Sequence, residues 1–369
     1  MQVNEILQLV VNRGGSDLHL TVPSKPVVRV DGLLITQDDL PPLTAKDIES
    51  VLEQTTTEEQ MAAFRSEHEL DFAYGVPGLA RFRVNALQQR GTISLAFRLV
   101  PFNIPSIDEL GLPSICKQIV MKPRGLVLIT GAAGSGKSTT LAAMINHLNE
   151  TEKRNIITIE DPIEFLFRSK KCLIRQRDIG DDTKSFSTAL RHVLRHDPDV
   201  IVIGEIRDLT TISTAIRASE TGHLVLATLH SNDAAQTIDR IIDMFPPGQQ
   251  QQIRLQLGQV TEAVLSQVLL PRIGGGRIAA FEIMLGINLI RTKIREGKVD
   301  EITSIIGMCK KEGMQTLDQA LVDYVRKGLV AEEEAILKSS NPEKLQQSLQ
   351  SYSKVLVPNC ENMHYIIHT

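Results

Sequence analysis

Apolar residues at Val3, Ile6, Leu7, Val10 and Val11 recur at helical spacing and predict an amphipathic helix that stops at Gly14-Gly15. Ser16 to Leu20 then alternates, and Val27 to Ile35 reads as a hairpin turning at Asp31-Gly32. Two short helices are expected next, from Thr44 through Leu52 and from Thr56 through Phe64, each opening on a threonine able to cap it. Strands follow around Asp71–Tyr74, Ala80–Ala86 and Ile93–Arg98. The first hundred residues therefore predict a compact, mostly antiparallel α+β domain.

Pro101, Pro105 and Pro113 punctuate the stretch 101–115, which reads as a linker. Beyond it the texture changes. The short apolar runs Leu126–Ile129, Ile156–Ile159, Val200–Ile203 and Leu224–Thr228 alternate with helical patterns. Strands apolar on both faces indicate a parallel sheet covered by helices. Residues 285–345 read as helical with breaks at Gly297, Gly313 and Gly328, and 346–369 as a loosely held tail.

One turn in this second region carries chemistry. Gly131-Ala132-Ala133-Gly134-Ser135-Gly136-Lys137-Ser138 fits G-x-x-x-x-G-K-[ST], between an expected strand and a helix opening at Thr139. Glycines there let backbone N–H groups turn toward a phosphate at a helix N-terminus. Lys137 would reach the β- and γ-phosphates of ATP, and Ser138 would place its hydroxyl on Mg²⁺. The alternative is an ordinary Gly-rich turn.

A triphosphatase also needs carboxylates nearby. Glu205 ends the run Val200–Ile203 and would face the triphosphate and hold the metal, unless it is a plain surface strand end. Glu160, Asp161 and Glu164 form a second acidic cluster, whose alternative role is to decorate a helix N-terminus. His223 and His230 bracket the strand Leu224–Leu229. His230, at its carboxyl end, is placed to sense a γ-phosphate, whereas His223, at the amino end, reads as structural unless it faces a neighbouring domain. Arg81 and Arg83 share one face of a strand and point together at a phosphate or at solvent.

Composition narrows the class. The 369 residues are 42% hydrophobic and 23% charged, as in ordinary soluble proteins, and the net charge of −4 argues against a nucleic-acid binder. No segment approaches a membrane span, and the N-terminus lacks signal-peptide features. Cys116, Cys172, Cys309 and Cys360 are too scattered for a zinc site and suit a reducing cytoplasm.

Taken together, Ser16-Asp17-Leu18-His19-Leu20, the phosphate loop, the 158–164 acidic box, Gly204–Asp208 and Thr221–His230 resemble the hexameric secretion-superfamily ATPases. Within that superfamily the chain looks like the type IV pilus retraction ATPases (the PilT/PilU kind), from about residue 3 to residue 337. The resemblance implies a PAS-like domain (1–100), a linker (101–115) and a RecA-like ATPase domain with a C-terminal helical region (116–345). It implies a homo-hexamer that binds ATP and Mg²⁺ between domains, docks on an inner-membrane pilus platform protein from the cytoplasm, and has a paralogous retraction ATPase as a possible partner. Glu164 becomes the water-activating residue and Glu205 the metal-organising acid, with Glu160 and Asp161 supporting them. His230 becomes the sensor, and Arg81, Arg83 and Arg98 the charge-stabilising arginines. Ala132-Ala133 replaces the family's Pro-Thr at positions that lend only backbone. Asn288–Lys298 keeps the apolar rhythm and closing Arg-Glu of the retraction signature but not its wording. An accessory adaptor, another secretion ATPase and a DNA-pumping motor are the competing readings.

Overall fold

A computed structural model of the chain describes residues 2–30, 32–101 and 103–356. They form two compact units, one made of Met1–Ile104, Thr158–Ser169 and Ile174–Ala189, the other of Pro105–Ile157, Lys170–Leu173 and Leu190 onward.

The first unit is built on six strands: β1 (Asp17–Leu20), β2 (Val27–Val30), β3 (Leu33–Thr36), β4 (Glu69–Val76), β5 (Ala80–Gln89) and β6 (Thr92–Val100). Their order is β3-β2-β1-β6-β5-β4, and every neighbouring pair is antiparallel. Period-two alternation makes this sheet two-faced. Leu18, Phe82, Val84, Leu95 and Phe97 are buried on one face with Leu7 and Val10 of helix Val3–Asn12 and Ile48 and Leu52 of helix Ala45–Thr55. Phe82 and Phe97 meet edge to face with centroids 6.5 Å apart, worth about 0.5–1.5 kcal/mol beyond area burial.

Thr44 caps Ala45–Thr55 in a capping box with Asp47. The next helix, Glu58–Glu67, is capped by Thr57 with Gln60 rather than by Thr56. Thr56 instead closes the preceding helix, its hydroxyl donating to the Leu52 carbonyl at 2.7 Å. Each of Thr55, Thr56 and Thr57 stands three residues before a Glu or Gln, so the capping-box pattern alone fits all three and the structure settles on Thr57. The β2–β3 hairpin turns through Gly32 at φ 84°; Asp31 lies outside the described residues.

The second sheet contains β7 (Gly125–Thr130), β8 (Asn155–Glu160), β9 (Leu173–Asp178), β10 (Val200–Ile203), β11 (Leu224–Leu229), β12 (Thr261–Pro271) and β13 (Arg277–Leu285). Its order is β13-β12-β7-β11-β10-β8-β9, with β12, β7, β11 and β10 mutually parallel and β13 antiparallel at the edge. All residues of β7, β10 and β11 are buried, as continuous apolar strands require. This mixed α/β architecture is the RecA-like ATPase core.

Three strands, β9, β12 and β13, were not expected. The helical stretch begins at Asn288, not 285, and breaks at Gly297, Gly313 and Gly328, each at positive φ. Residues Pro342–Leu356 are helical where the tail was expected to start, with Leu345 and Leu349 buried against Leu317–Val322, so an apolar stripe anchors them. The remainder of 346–369 lies outside the described residues. No helix among the described residues is long and apolar enough to cross a membrane.

Candidate functional site

The phosphate loop runs from the carboxyl end of β7 into helix Lys137–Thr151. Gly136, at φ 89°, is the residue before that helix, and Gly131 sits at φ 143°. A Cβ on Gly131 would lie 2.3 Å from the Gln267 carbonyl oxygen, and one on Gly136 2.8 Å from Gln267 Nε2. The loop's glycines thus serve close approach to β12 as well as positive φ.

Gln267, buried on β12, straps the loop. Its Nε2 donates to the Ser135 carbonyl at 2.7 Å, and its Oε1 accepts from Thr140 Oγ1 at 2.8 Å. Beside it, Thr130 Oγ1 donates to Ser266 Oγ at 2.8 Å. These positions escaped sequence reasoning because β12 itself was not recognised.

Lys137 is buried, and its ammonium donates to the carbonyls of Gly131 at 2.8 Å and Ala132 at 2.9 Å. At the Ala132-Ala133 departure, Ala132 takes part in this contact through its backbone carbonyl. Ser138 and Thr139 follow, half-buried, in the first helical turn. Lys137 Nζ also lies 3.5 Å from His230 Nδ1, and His230 Nε2 lies 3.1 Å from Glu205 Oε1. An ammonium can only donate, so Nδ1 is the acceptor and Nε2–H donates to the carboxylate. Arg207 completes the chain with Nε 2.9 Å from Glu205 Oε2. Lys137, His230 and Glu205 come from the carboxyl ends of β7, β11 and β10, so this part of the expected site is assembled within the second unit. Asp208 is a helix cap, accepting from the Thr211 amide at 2.8 Å.

His223 is not part of this cluster. It precedes β11, whose first residue, Leu224, pairs with Gly125 at the start of β7, at the opposite strand ends from the phosphate loop. Its Nδ1 lies 3.0 Å from the Ala218 carbonyl and 3.2 Å from Thr221 Oγ1, a local contact at the end of helix Leu209–Glu220. The structural alternative holds for this histidine within the chain.

The remaining residues belong to the first unit. Glu160 Oε1 accepts from Thr158 Oγ1 at 2.6 Å and from Gln176 Nε2 at 3.1 Å. Burial pushes its carboxyl above the ordinary value, with these donors opposing the rise. Asp161 and Glu164 are exposed. Arg81 and Arg83 share the outer face of β5, and Arg98 pairs directly across from Arg83. Arg81 Nη2 lies 3.0 Å from Asp178 Oδ2 and 3.4 Å from Asp181 Oδ2. Arg83 stands 3.9 Å from Asp71. Arg98 Nε donates to Asp17 Oδ1 at 2.8 Å. Burial raises the Asp17 carboxyl, but hydrogen bonds from Arg98 and Ser16 outweigh it and hold it below its ordinary value. Asp17, Asp178 and Asp181 were not anticipated as partners of these arginines.

The family model for "Type II/IV secretion system protein" matches residues 2–336. The chain belongs to this family. It is 47% identical over 343 residues to the type IV pilus retraction ATPase PilT of Pseudomonas aeruginosa, spanning 93% of this chain and 99% of that one. It is 40% identical over 337 residues to the type IV pilus ATPase PilU of the same organism, spanning 91% and 88%. Among solved structures it superposes on the pilus retraction motor PilT with bound ADP at a TM-score of 0.87 and 44% identity, covering 94% of this chain and 99% of that one. The phosphate loop and the Glu205 carboxylate lie at the carboxyl ends of β7 and β10, with β11, which carries His230 at its own carboxyl end, between them.

Buried Ser135 Oγ has no hydrogen-bond partner, in a loop cradled by glycines and a buried ammonium. That donor set suits a nucleotide phosphate. Among the described residues no group of three or more His, Cys, Asp or Glu is arranged to hold a metal by itself.

Proposed function

We propose that this chain is the ATPase motor that retracts a type IV pilus, working as a homo-hexamer on an inner-membrane platform protein at its cytoplasmic face. The observation that carries this reading is the Lys137–His230–Glu205 chain at the phosphate loop, in a protein similar to the retraction ATPase PilT along nearly its whole length. Higher identity to PilT than to PilU favours a principal motor over an accessory paralogue. We assign the first unit's sheet and helices to a PAS-like domain.

In this reading Lys137 and the amides of residues 131–138 bind the phosphates, and Ser138 and Glu205 would hold Mg²⁺ beside them. When bound, the metal would supply charge neutralisation on the transferring phosphoryl group. His230 sits between Lys137 and Glu205 and registers a change at either. Glu164 is exposed and takes the proton of the attacking water. Glu160, held by Thr158 and Gln176, fixes the turn that presents it. Arg81, Arg83 and Arg98 supply positive charge to the transition state.

Purified protein should hydrolyse ATP in a Mg²⁺-dependent manner, and Glu205→Ala should lower turnover by about 10²-fold. Deleting the gene should abolish twitching and leave excess surface pili, with wild type restoring both. Normal twitching and piliation in the deletion would rule out the retraction role, and hydrolysis insensitive to Glu205→Ala would leave only a nucleotide-gated adaptor.

A further inference from the structure

Glu282 is buried on the edge strand β13, at 4% exposure, and lies outside the machinery described above. Its position in the sheet is informative. Leu229 pairs with Thr130, Thr130 with Ser266, and Ser266 with Glu282. One cross-strand row therefore carries the residue before His230, the residue before the phosphate loop, the neighbour of Gln267, and Glu282.

Two helices start beside this carboxylate. Glu282 Oε1 accepts from the Ala234 amide at 2.8 Å, the first residue of helix Ala234–Asp243. The Leu317 amide, first in helix Leu317–Arg326, lies close enough to favour the ionised form of the same carboxyl. Each N-terminus has unsatisfied N–H groups and a dipole that favours an anion, so one carboxylate serves both. Asp233 and Thr316 cap the helices separately, which leaves the first-turn amides of Ala234 and Leu317 to Glu282.

Each helix is tied onward. The first holds the loop carrying His230: Arg240 donates to the His230 carbonyl, and Thr237 Oγ1 meets Ser231 Oγ at 2.7 Å. The second is preceded by Gln315, which bridges Ile283 of β13, the Ile283 amide donating to the Gln315 carbonyl at 2.8 Å. It then packs on the Pro342–Leu356 helix through Leu317–Val322, Leu345 and Leu349. Burial pushes the Glu282 carboxyl up to about 7, with Asp233 and Asp318 adding to the rise.

We propose that Glu282 is a positioning residue that couples the His230 loop to the C-terminal helices by placing one carboxylate at the first amides of both helices. A displacement of His230 on nucleotide binding or hydrolysis then moves helix 234–243, and through Glu282 the start of helix 317–326. This rests on the reading of His230 as the phosphate-side sensor.

The test uses full-length protein, wild type and Glu282→Gln, with ADP and with a non-hydrolysable ATP analogue plus Mg²⁺. Hydrogen exchange is followed in residues 230–240 and 317–326. In wild type, the analogue should change exchange in both segments. In Glu282→Gln, ADP affinity and the response at 230–240 should stay within about twofold, while the response at 317–326 drops at least about fivefold; kcat should fall about tenfold with KM nearly unchanged. A general folding defect would instead raise exchange everywhere and weaken ADP binding. The proposal is overturned if wild type shows no change at 317–326 while 230–240 responds, or if Glu282→Gln keeps the full response there. Wild type that binds neither nucleotide would refute the ATPase reading itself, and this coupling with it.

Discussion

Lys137→Ala is expected to lower kcat/KM for ATP by about 10³–10⁵. Two contributions multiply. A charge-assisted contact to phosphate is worth about 1.5–3 kcal/mol in the bound ground state, or roughly 10–150-fold in affinity. A fixed charge aimed at the developing transition state is worth a further ~10²–10³ in turnover. The geometry adds a local reason. The ammonium donates to the carbonyls of Gly131 and Ala132, so alanine also leaves two loop carbonyls without that donor. Lys137→Arg should not rescue, because the larger fork must enter a turn whose glycines leave no room for even a Cβ beside Gln267. Initial-rate hydrolysis across ATP concentration, with calorimetric titration of Mg-ATP, reads both parts. A variant within tenfold of wild type in kcat/KM would remove Lys137 from the mechanism.

The second large effect is expected at Gln267, a residue that touches the loop without belonging to it. The primary amide of Gln267 donates to the Ser135 carbonyl and accepts from the Thr140 hydroxyl at once, which no apolar side chain can do. Gln267→Leu keeps bulk but strands both groups in the interior, at about 1–3 kcal/mol each. A loss of about 2–5 kcal/mol in unfolding free energy should accompany at least about a tenfold loss of ADP affinity, because the loop's shape is the ligand's binding surface. Gln267→Glu should bind ADP no better, since its carboxylate sets oxygen against the Ser135 carbonyl oxygen. Urea unfolding and ADP titration measure the two. Wild-type midpoint and affinity in Gln267→Leu would show that the strap is incidental.

Gln267 also marks where sequence reading stopped. Strands β7, β10 and β11 were legible because burial on both faces leaves an unbroken apolar run, and the phosphate loop because its glycines sit between such a run and a helix. In the first unit, Ser16–Leu20 was legible from alternation and the β2–β3 hairpin from its Asp31-Gly32 turn, although β3 is exposed along its length. β12 was not legible: seven of its eleven residues are buried, yet Ser266 and Gln267 interrupt the apolar run with polar groups satisfied across the sheet by β7, the phosphate loop and its helix. Read locally, those two residues argue against a buried strand. β9, as Leu173-Ile174-Arg175-Gln176-Arg177-Asp178, sits at the sheet edge and is too polar to stand out. Likewise, the roles of Asp178 as partner of Arg81 and of Glu282 as acceptor of the Ala234 amide depend on contacts with residues far along the chain. The helix at Asn288–Glu296 shows the reverse case. Its wording departs from the family signature, yet Ile290 and Ile294 are buried and Arg291 Nη2 meets Glu262 at 2.6 Å, so the rhythm carried the structure.

The strap on the phosphate loop has a consequence for how the protein comes into being. The contacts that hold Ser135 and Thr140 come from a residue 132 and 127 positions later in the chain. During synthesis, which proceeds from the N-terminus, all eight residues of the loop emerge long before the strand that shapes them. Until residue 267 has left the ribosome and β12 has paired beside β7, the chain carries a nucleotide motif without a nucleotide site. The nascent loop thus lacks its strap until residue 267 has emerged, well past the middle of the 369-residue chain.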